Sequence, residues 1–416
     1  MVTEAVEVRR KEKVIDTRLK WRTLLLLSLA ELLGMAVWFS ASAVVPALTS
    51  DWSLNDSGRA WLTMSVQVGF VVGAFGSSLL NLADRIPARR LFTLTALLAG
   101  VFTALIPTLN TGLGSALVLR FLTGMVLAGV YPVGMKIMAT WTKADRGLGI
   151  GLLVGALTLG SASPHLINAF GGVGDWKPVL YLAAASAILG ALVAALFVDE
   201  GPYRSPSPRF SWNHVGQILR QRDITLANLG YLGHMWELFA MWTWMPIFLL
   251  TSFEISGVSA RWASLAAFAI IAAGGLGSLL AGQLADQLGR TTLTIASLLV
   301  SGTSALIIGR FFGGNPVWLV AVSLIWGFAV VADSAQFSAC VSELCRPELT
   351  GTALTLQTSL GFLLTLVTIR LVPNLVNLVG WNWAFAFLVL GPAVGIWAMG
   401  TLRRSASASR LAGGKG

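Results

Sequence analysis

The sequence predicts an all-α integral membrane protein with twelve transmembrane helices, built as two pseudo-symmetric six-helix bundles with both termini in the cytoplasm. Three observations carry this prediction. The 416 residues are 55% hydrophobic and only 12% charged, at a mean hydropathy of +0.75, whereas a soluble domain carries roughly 25% charged residues. The apolar residues fall in runs of about 20, the length that spans the hydrocarbon core as a helix. Short motifs also recur in the two halves of the chain at a nearly constant offset.

The twelve predicted segments follow one another with short connections, except for one longer inner loop after segment 6. In chain order they cover residues 24–48, 60–82, 91–108, 115–141, 148–170, 178–198, 225–252, 262–284, 291–311, 317–341, 350–372 and 383–401. The predicted organisation is a cytoplasmic tail (1–22), an N-terminal bundle (23–198), a cytoplasmic linker (199–224), a C-terminal bundle (225–402) and a second cytoplasmic tail (403–416).

The linker contains Ser205-Pro206-Ser207-Pro208, a composition typical of a flexible connection. Four apolar residues then recur at helical spacing beside two arginines: Trp212, Val215, Ile218 and Leu219, with Arg220 and Arg222. This pattern predicts a short amphipathic helix on the inner membrane surface. A plain linker with snorkelling arginines is the alternative.

The net charge of +10 indicates topology rather than nucleic-acid binding. With both ends inside, 22 of the 29 Lys and Arg residues fall in the tails and inner loops, 4 in the outer loops and 3 in the spans. Positively charged loops stay in the cytoplasm, so this bias fixes the orientation. No cleavable signal peptide is evident, and we expect a multi-pass protein of the inner or plasma membrane with the lipid bilayer as its partner.

The sequence offers little support for enzymatic chemistry. The two cysteines, Cys340 and Cys345, face a reducing side, and with three histidines they give no metal-ligand spacing. We therefore expect no metal and no cofactor. A membrane enzyme would need a Gly-x-Ser-x-Gly, a His-Glu-x-x-His or a P-loop, none of which occurs, and a non-transporting sensor would carry an output domain larger than these tails.

The two halves repeat. Leu82-Ala83-Asp84 recurs as Leu284-Ala285-Asp286, and Leu48-Thr49-Ser50 as Leu250-Thr251-Ser252, both at an offset of 202. Gly124 corresponds to Gly327 at an offset of 203. Duplicated halves place a binding site near the midplane of the membrane, at their interface.

The loop between segments 2 and 3 resembles a motif of the major facilitator superfamily, and the resemblance extends over essentially the whole chain. The family pattern is Gly-x-Leu-Ala-Asp-Arg/Lys-x-Gly-Arg-Arg/Lys. In residues 80–90, Asp84, Arg85 and Arg89 match it, whereas Leu80, Pro87 and Ala88 depart from it. The second copy keeps both glycines, Gly282 and Gly289. In segment 4, Arg120 followed by Gly124 and Gly129 resembles a second family pattern.

The resemblance implies a secondary transporter, normally a monomer, that works by alternating access around a central cavity lined by segments 1, 4, 7 and 10. It also implies that the loop charges latch the two halves in the outward-facing state. The implied latch comprises Asp84, Arg85 and Arg89, with Asp286 and Arg290 in the second copy. The residues themselves support such a role, because an acid at a helix junction can accept from the backbone N–H groups of another helix start. A solvated, positive-inside loop is the alternative.

The few charges inside the spans lie in the first and fourth segments of each half. Charge in a bilayer is expensive and marks binding sites, proton paths or locking pairs. A tryptophan lies seven residues from an acid in three of these helices, two turns outward. An aromatic wall beside a carboxylate fits a solute cavity and disfavours the charged form, which suits proton carriage. Coincidence among 16 tryptophans is the alternative to this stripe.

Two specific pairings, and one choice between two cations, are expected from spacing and depth. His234 and Glu237 are three residues apart on one face, which predicts a proton-handling pair. Glu31 and Lys136 lie at similar depth on neighbouring helices, which predicts a buried ion pair. Arg120 and Lys136 are about 160° apart on a straight helix, so one is expected to be the cavity cation. Pro132 lies between them and can bend the helix.

Together these patterns predict a secondary active transporter, coupled to protons or another ion, for a small polar or anionic organic solute. Arg120 and Lys136 are the expected anion contacts. The predicted substrate- or proton-binding residues are Glu31, Trp38, Arg120, Tyr131, Lys136, His234, Glu237, Trp244, Trp326 and Asp333. Because three buried acids equally favour a cationic solute, a proton-driven exporter of cationic or amphipathic compounds is the alternative. A non-transporting sensor and a membrane enzyme are remote alternatives.

Overall fold

The computed structural model describes residues 17–142, 145–171, 174–203 and 211–416. Within these ranges the secondary structure consists of helices and turns, with no strand. Residues 1–16 of the predicted tail and the Ser205-Pro206-Ser207-Pro208 stretch lie outside the described residues. In the part of the chain that the structure describes, eleven helices are long and apolar enough to cross a membrane, and they match predicted segments 2 to 12.

The helices of the N-terminal half are segment 1 (Thr17–Met35, then Val45–Trp52), segment 2 (Asp56–Leu80), a short turn of helix (Leu82–Arg85), segment 3 (Ala88–Leu109), segment 4 (Leu113–Leu127 and Tyr131–Ala139), segment 5 (Arg146–Gly171) and segment 6 (Lys177–Phe197). A short helix, Trp212–Leu219, follows in the linker. The C-terminal half has segment 7 (Arg222–Ile255), segment 8 (Ala260–Leu288), segment 9 (Arg290–Ile307), segment 10 (Pro316–Ala332 and Ser334–Leu344), segment 11 (Pro347–Val379) and segment 12 (Trp381–Ala384 and Leu390–Arg403).

Segment 1 differs most from its prediction. It was expected as one helix over 24–48, but the helix ends at Met35 and resumes at Val45 after turns and the 3-10 stretch Ser42–Val44. The backbone carbonyls freed by this break need other donors, and a buried arginine supplies them, as described below. Segment 10 was also expected to be continuous, and it breaks at Asp333. Segment 4 breaks just before Pro132, as the proline indicated.

The outer faces of both halves are apolar, which agrees with lipid contact. Leucine, valine and tryptophan side chains are exposed along the helices; Leu196 is 68% exposed and Val317 is 72% exposed. A globule in water would hide such side chains, whereas lipid tails solvate them. The end of the molecule that carries the basic loops between segments 2 and 3, 4 and 5, 8 and 9, and 10 and 11 is called the inner end below.

Close helix contacts repeat in the two halves. A Cβ placed on Gly124 would lie 2.0 Å from the carbonyl oxygen of Val66, and one on Gly327 would lie 2.0 Å from that of Ile270. The two contacts are the same interface, since both join the fourth helix of a half to its second helix. Only glycine permits this approach, so the repeat found in the sequence is a repeat of packing.

Segments 5 and 8 form a glycine seam between the halves. Gly147 faces Gly282, and Gly155 faces Gly275, with Cβ-to-carbonyl approaches of 2.7 to 3.3 Å. Gly160, further along segment 5, packs on the Leu32 carbonyl of segment 1. Gly274 and Gly277 pack on segment 10.

Segments 2 and 11 form a second seam on the opposite side. Ser78 and Thr355 hydrogen-bond at 3.2 Å toward the inner end, and Asn377 donates to Asp56 at 3.1 Å toward the outer end. The two seams hold the halves side by side around a central space.

Candidate functional site

A cavity of about 820 Å³ lies between the two halves. Its lining comes from segments 4 and 5 on one side and from segments 7, 8, 10 and 11 on the other, with Met35 and Trp38 from segment 1 and Phe70 from segment 2. At the inner end its wall includes the exposed side chains of Asp286 and Ser342. At the far end the lining residues are buried. The cavity therefore opens toward the inner end.

Aromatic rings close the outer end of the cavity and bridge the halves. The Trp38 ring lies 5.0 Å from Phe70 within its own half, 6.1 Å from Phe239 and 5.7 Å from Phe362 across the interface. Phe39 packs edge-on against Trp242 at 5.5 Å. These contacts bury large apolar area and make a wall suited to a planar apolar group.

The polar groups of the lining are mostly neutral. Tyr131 and Tyr231 face each other across the interface closely enough to interact electrostatically, and Tyr231 is hydrogen-bonded to Thr358. Further polar lining comes from Thr158, Ser161, Gln336 and Ser338. Such a mixture of rings and hydroxyl groups orients a small organic molecule without a fixed charge.

The two cations in the lining lie near the inner end and are both paired. Lys136 Nζ binds the Asp84 carboxylate and donates to the carbonyl of Ala83 at 2.5 Å. Arg290 binds Glu343 through Nε at 2.9 Å and Nη2 at 2.6 Å, and Gln336 through Nη1 at 2.8 Å. The expected Glu31–Lys136 ion pair is wrong, because Lys136 points from its helix toward the loop between segments 2 and 3.

Arg120 is fully buried and holds the broken stretch of segment 1 in place. It donates from Nη1 to the Val37 carbonyl at 2.6 Å, from Nε to the Leu62 carbonyl at 3.2 Å and from Nη2 to the Trp38 carbonyl. The planar fork of a guanidinium suits donation to several carbonyl oxygens at once. Its donors thus go to backbone rather than to the cavity, so the expectation of Arg120 as the cavity cation is not met by the geometry.

Glu31 is fully buried, and within the described residues neither carboxylate oxygen has a hydrogen-bond partner. It lies between segments 1 and 4, where a Cβ placed on Gly134 would come 2.7 Å from Oε2. It also interacts electrostatically with the lining residue Tyr131. An unpartnered buried carboxylate is costly, so this position is a strong candidate for function.

In the C-terminal half the buried acids are partnered. Glu237 accepts from Trp326 Nε1 at 2.6 Å and from Ser301 Oγ at 2.9 Å. His234 Nδ1 lies 2.8 Å from Asp333 Oδ1. The structure therefore pairs His234 with Asp333 and not with Glu237.

The tryptophan–acid stripe is also rearranged by the tertiary structure. Trp326 binds the acid of segment 7 rather than that of its own helix, and Trp244 donates to the Ile369 carbonyl at 2.9 Å. Of the three predicted tryptophans, Trp38 lines the cavity. Trp326 and Trp244 thus form hydrogen bonds with groups on other helices rather than with the acid seven residues away on their own helix.

The predicted latch charges pair mainly within their own halves in this inner-open structure. Arg89 binds Asp199 at 2.6 Å, and Arg85 is exposed. Asp286 is the exception, because a Cβ placed on Gly147 at the start of segment 5 would come 3.1 Å from Oδ2. The acid of the second copy thus meets a helix start of the other half, where anions are stabilised.

Sequence reasoning missed Trp242, Ser161 and Arg290 as lining residues. A signal for Trp242 was present, since Met235, Leu238, Phe239 and Trp242 recur at helical spacing and form one face of segment 7. That face lines the cavity, while Glu237 and His234 lie on the opposite side. The charged residues of segment 7 therefore do not line the cavity.

The fold and the central cavity define a multi-pass membrane protein built from two similar bundles. The family model of the Major Facilitator Superfamily matches residues 27–369, and the chain belongs to that family of membrane transporters rather than to an enzyme family. This confirms the resemblance found in the sequence. A crystal structure of a mutant nucleoside transporter NupG has the same fold, with a TM-score of 0.70 at 13% identity, covering 91% of this chain and 99% of that one.

Two relatives are similar over part of the chain. A protein of Bacillus subtilis named as the niacin/nicotinamide transporter NiaP is 29% identical over 226 residues, which are 51% of this chain and 55% of that protein. The 4-hydroxybenzoate transporter PcaK of Pseudomonas aeruginosa is 27% identical over 187 residues, 44% of this chain and 40% of that protein. The chain thus matches about half the length of these relatives.

Proposed function

We propose that the protein is a secondary carrier that moves a small aromatic organic solute across the membrane by alternating access, driven by protons. The cavity of about 820 Å³ between the halves carries this proposal. It opens at one end, is closed at the other by rings from both halves, and has the size of a site for a small molecule. We propose that a single chain suffices, because the cavity is complete within it.

Two lines of reasoning support an aromatic solute. The closed end of the cavity presents the rings of Trp38, Phe70, Phe239, Trp242 and Phe362, which favour stacked or edge-on contact with another ring. The names of the two partial relatives refer to niacin, nicotinamide and 4-hydroxybenzoate, all small aromatic molecules.

Alternating access requires that the two halves rock about a fixed site. The glycine seam of segments 5 and 8 supports such motion, because Gly147 faces Gly282 and Gly155 faces Gly275 without side chains between them. The aromatic contacts of Trp38 and Phe39 would open in the outward-facing state, and the loop charges Asp84, Arg85, Arg89, Asp286 and Arg290 would then latch the inner end.

Coupling to protons needs a buried group that is charged in one state and neutral in the other. Glu237, Asp333 and His234 form a buried polar cluster in the C-terminal half, and Glu31 is buried in the N-terminal half without a hydrogen-bond partner among the described residues. We assign proton handling to this set, with Glu237 as the principal coupling acid.

The test is transport by the purified full chain in proteoliposomes with an imposed pH difference. We expect accumulation of labelled 4-hydroxybenzoate, niacin or nicotinamide that requires the gradient and collapses with a protonophore. Counterflow exchange without the gradient should persist. Absence of both gradient-driven uptake and exchange for all three compounds would overturn the proposal.

A second candidate is proton-driven export of cationic aromatic compounds. The unpartnered carboxylate of Glu31 near an aromatic wall favours it, because cations bind both carboxylates and ring faces. In the same proteoliposomes, gradient-driven movement of an organic cation but of none of the three aromatic solutes would establish this alternative.

A further inference from the structure

We infer that the cavity recognises its solute through neutral hydrogen-bond donors, the indole N–H groups of Trp38 and Trp242 and the hydroxyl of Ser161, and therefore takes an uncharged aromatic carbonyl compound rather than an aromatic carboxylate. The compound class is an aromatic carboxamide or an undissociated aromatic acid. This inference rests on the proposed function and specifies the substrate of the same cavity.

The three donors share an unusual state. Each residue lines the cavity and is at least nine-tenths buried: Trp38 is 3% exposed, Trp242 1% and Ser161 1%. Among the described residues, Trp38 Nε1, Trp242 Nε1 and Ser161 Oγ have no hydrogen-bond partner. Buried polar groups in folded proteins are nearly always paired, so three such groups around one cavity point to a ligand.

Two buried tryptophans that do not line the cavity have protein partners. Trp244 donates to the Ile369 carbonyl at 2.9 Å, and Trp326 donates to Glu237 at 2.6 Å, whereas Trp236 Nε1, also outside the lining, has no partner among the described residues. Protein partners for indole N–H groups are thus available in this fold. The unpaired N–H groups of Trp38 and Trp242 lie where a solute would be held.

The donor chemistry defines what the solute must present. An indole nitrogen donates and cannot accept, so the facing atom must be an acceptor such as a carbonyl oxygen. The rings of Trp38 and Trp242 both pack against Phe239 of the aromatic wall, at distances between ring centres of 6.1 and 5.7 Å. A planar ring that carries a carbonyl group satisfies both the wall and the donors.

The cations around the cavity are already paired, which disfavours binding of an anionic solute. Arg120 is committed to three backbone carbonyls, Lys136 to Asp84, and Arg290 to Glu343. Among the described lining residues every cation therefore already has an acceptor. A carboxylate solute would lose its hydration shell without gaining a free positive charge.

Glu31 adds to this effect. It lies one helical turn before the lining residue Met35 and interacts electrostatically with Tyr131 of the lining. When ionised it repels a second negative charge in the cavity, which favours an uncharged solute over an anion.

The experiment measures binding of isosteric pairs to the purified full chain in nanodiscs by calorimetry at one neutral pH. The probes are nicotinamide against nicotinate and 4-hydroxybenzamide against 4-hydroxybenzoate, which differ in charge but hardly in shape. We expect each amide to bind at least about tenfold more tightly than its acid. Tighter binding of the carboxylates would overturn the inference and leave the aromatic carrier standing, whereas no binding of any probe would overturn both.

Conservative variants test the three donors. Trp38→Phe and Trp242→Phe keep a ring and remove one N–H, and each should weaken amide binding about three- to tenfold, the effect of one net hydrogen bond. Trp244→Phe is the matched control, because its N–H is used by the protein, and amide binding should not change. Ser161→Ala provides a donor deletion with little change in volume. Unchanged binding in all three cavity variants, with wild-type unfolding temperatures, would overturn the assignment.

Discussion

The two halves share their helix packing but differ in the polar residues that they bury at corresponding positions. At corresponding positions 203 residues apart, the N-terminal half has Glu31 and Arg120 where the C-terminal half has His234 and Ser323. Val130 corresponds in the same way to Asp333. In the C-terminal half the histidine therefore meets an acid on the neighbouring helix at 2.8 Å, whereas in the N-terminal half the equivalent Glu31 meets none.

The backbone follows this difference. Segment 7 is one helix, Arg222–Ile255, whereas segment 1 breaks between Met35 and Val45. Arg120 compensates for the break by donating to the carbonyls it frees, and Ser323 in its place would be too short. The C-terminal half thus pairs its buried acids and keeps segment 7 continuous, whereas segment 1 of the N-terminal half carries the irregular backbone typical of a binding surface.

The largest expected effect comes from Arg120→Leu. It removes the guanidinium donors of the Val37, Trp38 and Leu62 carbonyls; Val37 keeps the Ser40 hydroxyl at 3.0 Å, and each carbonyl left unsatisfied costs about 1–3 kcal/mol. We expect a loss of about 4 kcal/mol in the free energy of unfolding, measured by denaturant titration in detergent, together with loss of transport. The corresponding variant Ser323→Ala should be close to neutral, since the Ser323 hydroxyl has no hydrogen-bond partner among the described residues. Equal losses in the two variants would remove the distinction between the halves.

Glu237→Gln, in the C-terminal half, is expected to uncouple transport from the proton gradient. The amide keeps the shape of the side chain and an acceptor for Trp326, but it cannot gain and lose a proton. We expect at least a tenfold loss of proton-driven uptake, with counterflow exchange retained, in the proteoliposome assay. Ser301→Ala removes one hydrogen bond without removing the carboxyl group and is the control. Driven uptake at the wild-type rate in Glu237→Gln would show that another acid couples transport.

Gly124→Ala and Gly327→Ala test the part of the structure that the halves share. Each new Cβ would lie 2.0 Å from a backbone carbonyl, so the helices must separate, at a cost of about 1–3 kcal/mol. We expect similar decreases in unfolding temperature for both. Gly114→Ala is the control, because nothing lies within 4 Å of the added Cβ. A large decrease in only one half would contradict the repeated packing.

Asp84→Asn should have the smallest effect, a shift in conformational populations away from the outward-facing state. A cysteine in place of Ala43, which is 5% exposed near the outer end, would report that state by its labelling from outside. We expect labelling to fall about two- to fivefold relative to the parent, and Asp175→Asn in an outer loop should leave it unchanged. The native Cys340 and Cys345 are free and buried, and burial raises the pKa of the Cys345 thiol, which limits background reaction. Identical labelling in Asp84→Asn and its parent would exclude a latch at Asp84.

The fold was predictable because the bilayer imposes it. Runs of about 20 apolar residues have few other uses, and the repeat of Gly124 and Gly327 reported a real packing contact. The family motif around Asp84 and Asp286 was sufficient to recognise the superfamily. The break in segment 1 was not predictable, since an apolar stretch from Met35 to Val45 carries no proline or charge to mark it, and the donor that stabilises it lies in another segment.

The buried polar residues were predictable by residue type but not by partner. His234, Glu237 and Asp333 were expected inside the spans because buried charges are rare, and they are buried, yet their pairing depends on rotations of helices that spacing within one helix does not specify. Trp242 and Ser161 were missed because they carry no charge. The neutral cavity is visible only when the lining and the unpaired donors are known together.

The most direct test of the central claim, alternating access around a central solute site, is a distance measurement across the inner opening. Spin labels at Arg90 and Ser342, in a background with Cys340→Ser and Cys345→Ser, report the separation of the two halves by pulsed electron resonance. We expect two distance populations whose ratio shifts on addition of nicotinamide or another aromatic solute that binds, because a ligand favours the state it binds better. A single distance that no bound solute changes would contradict the account.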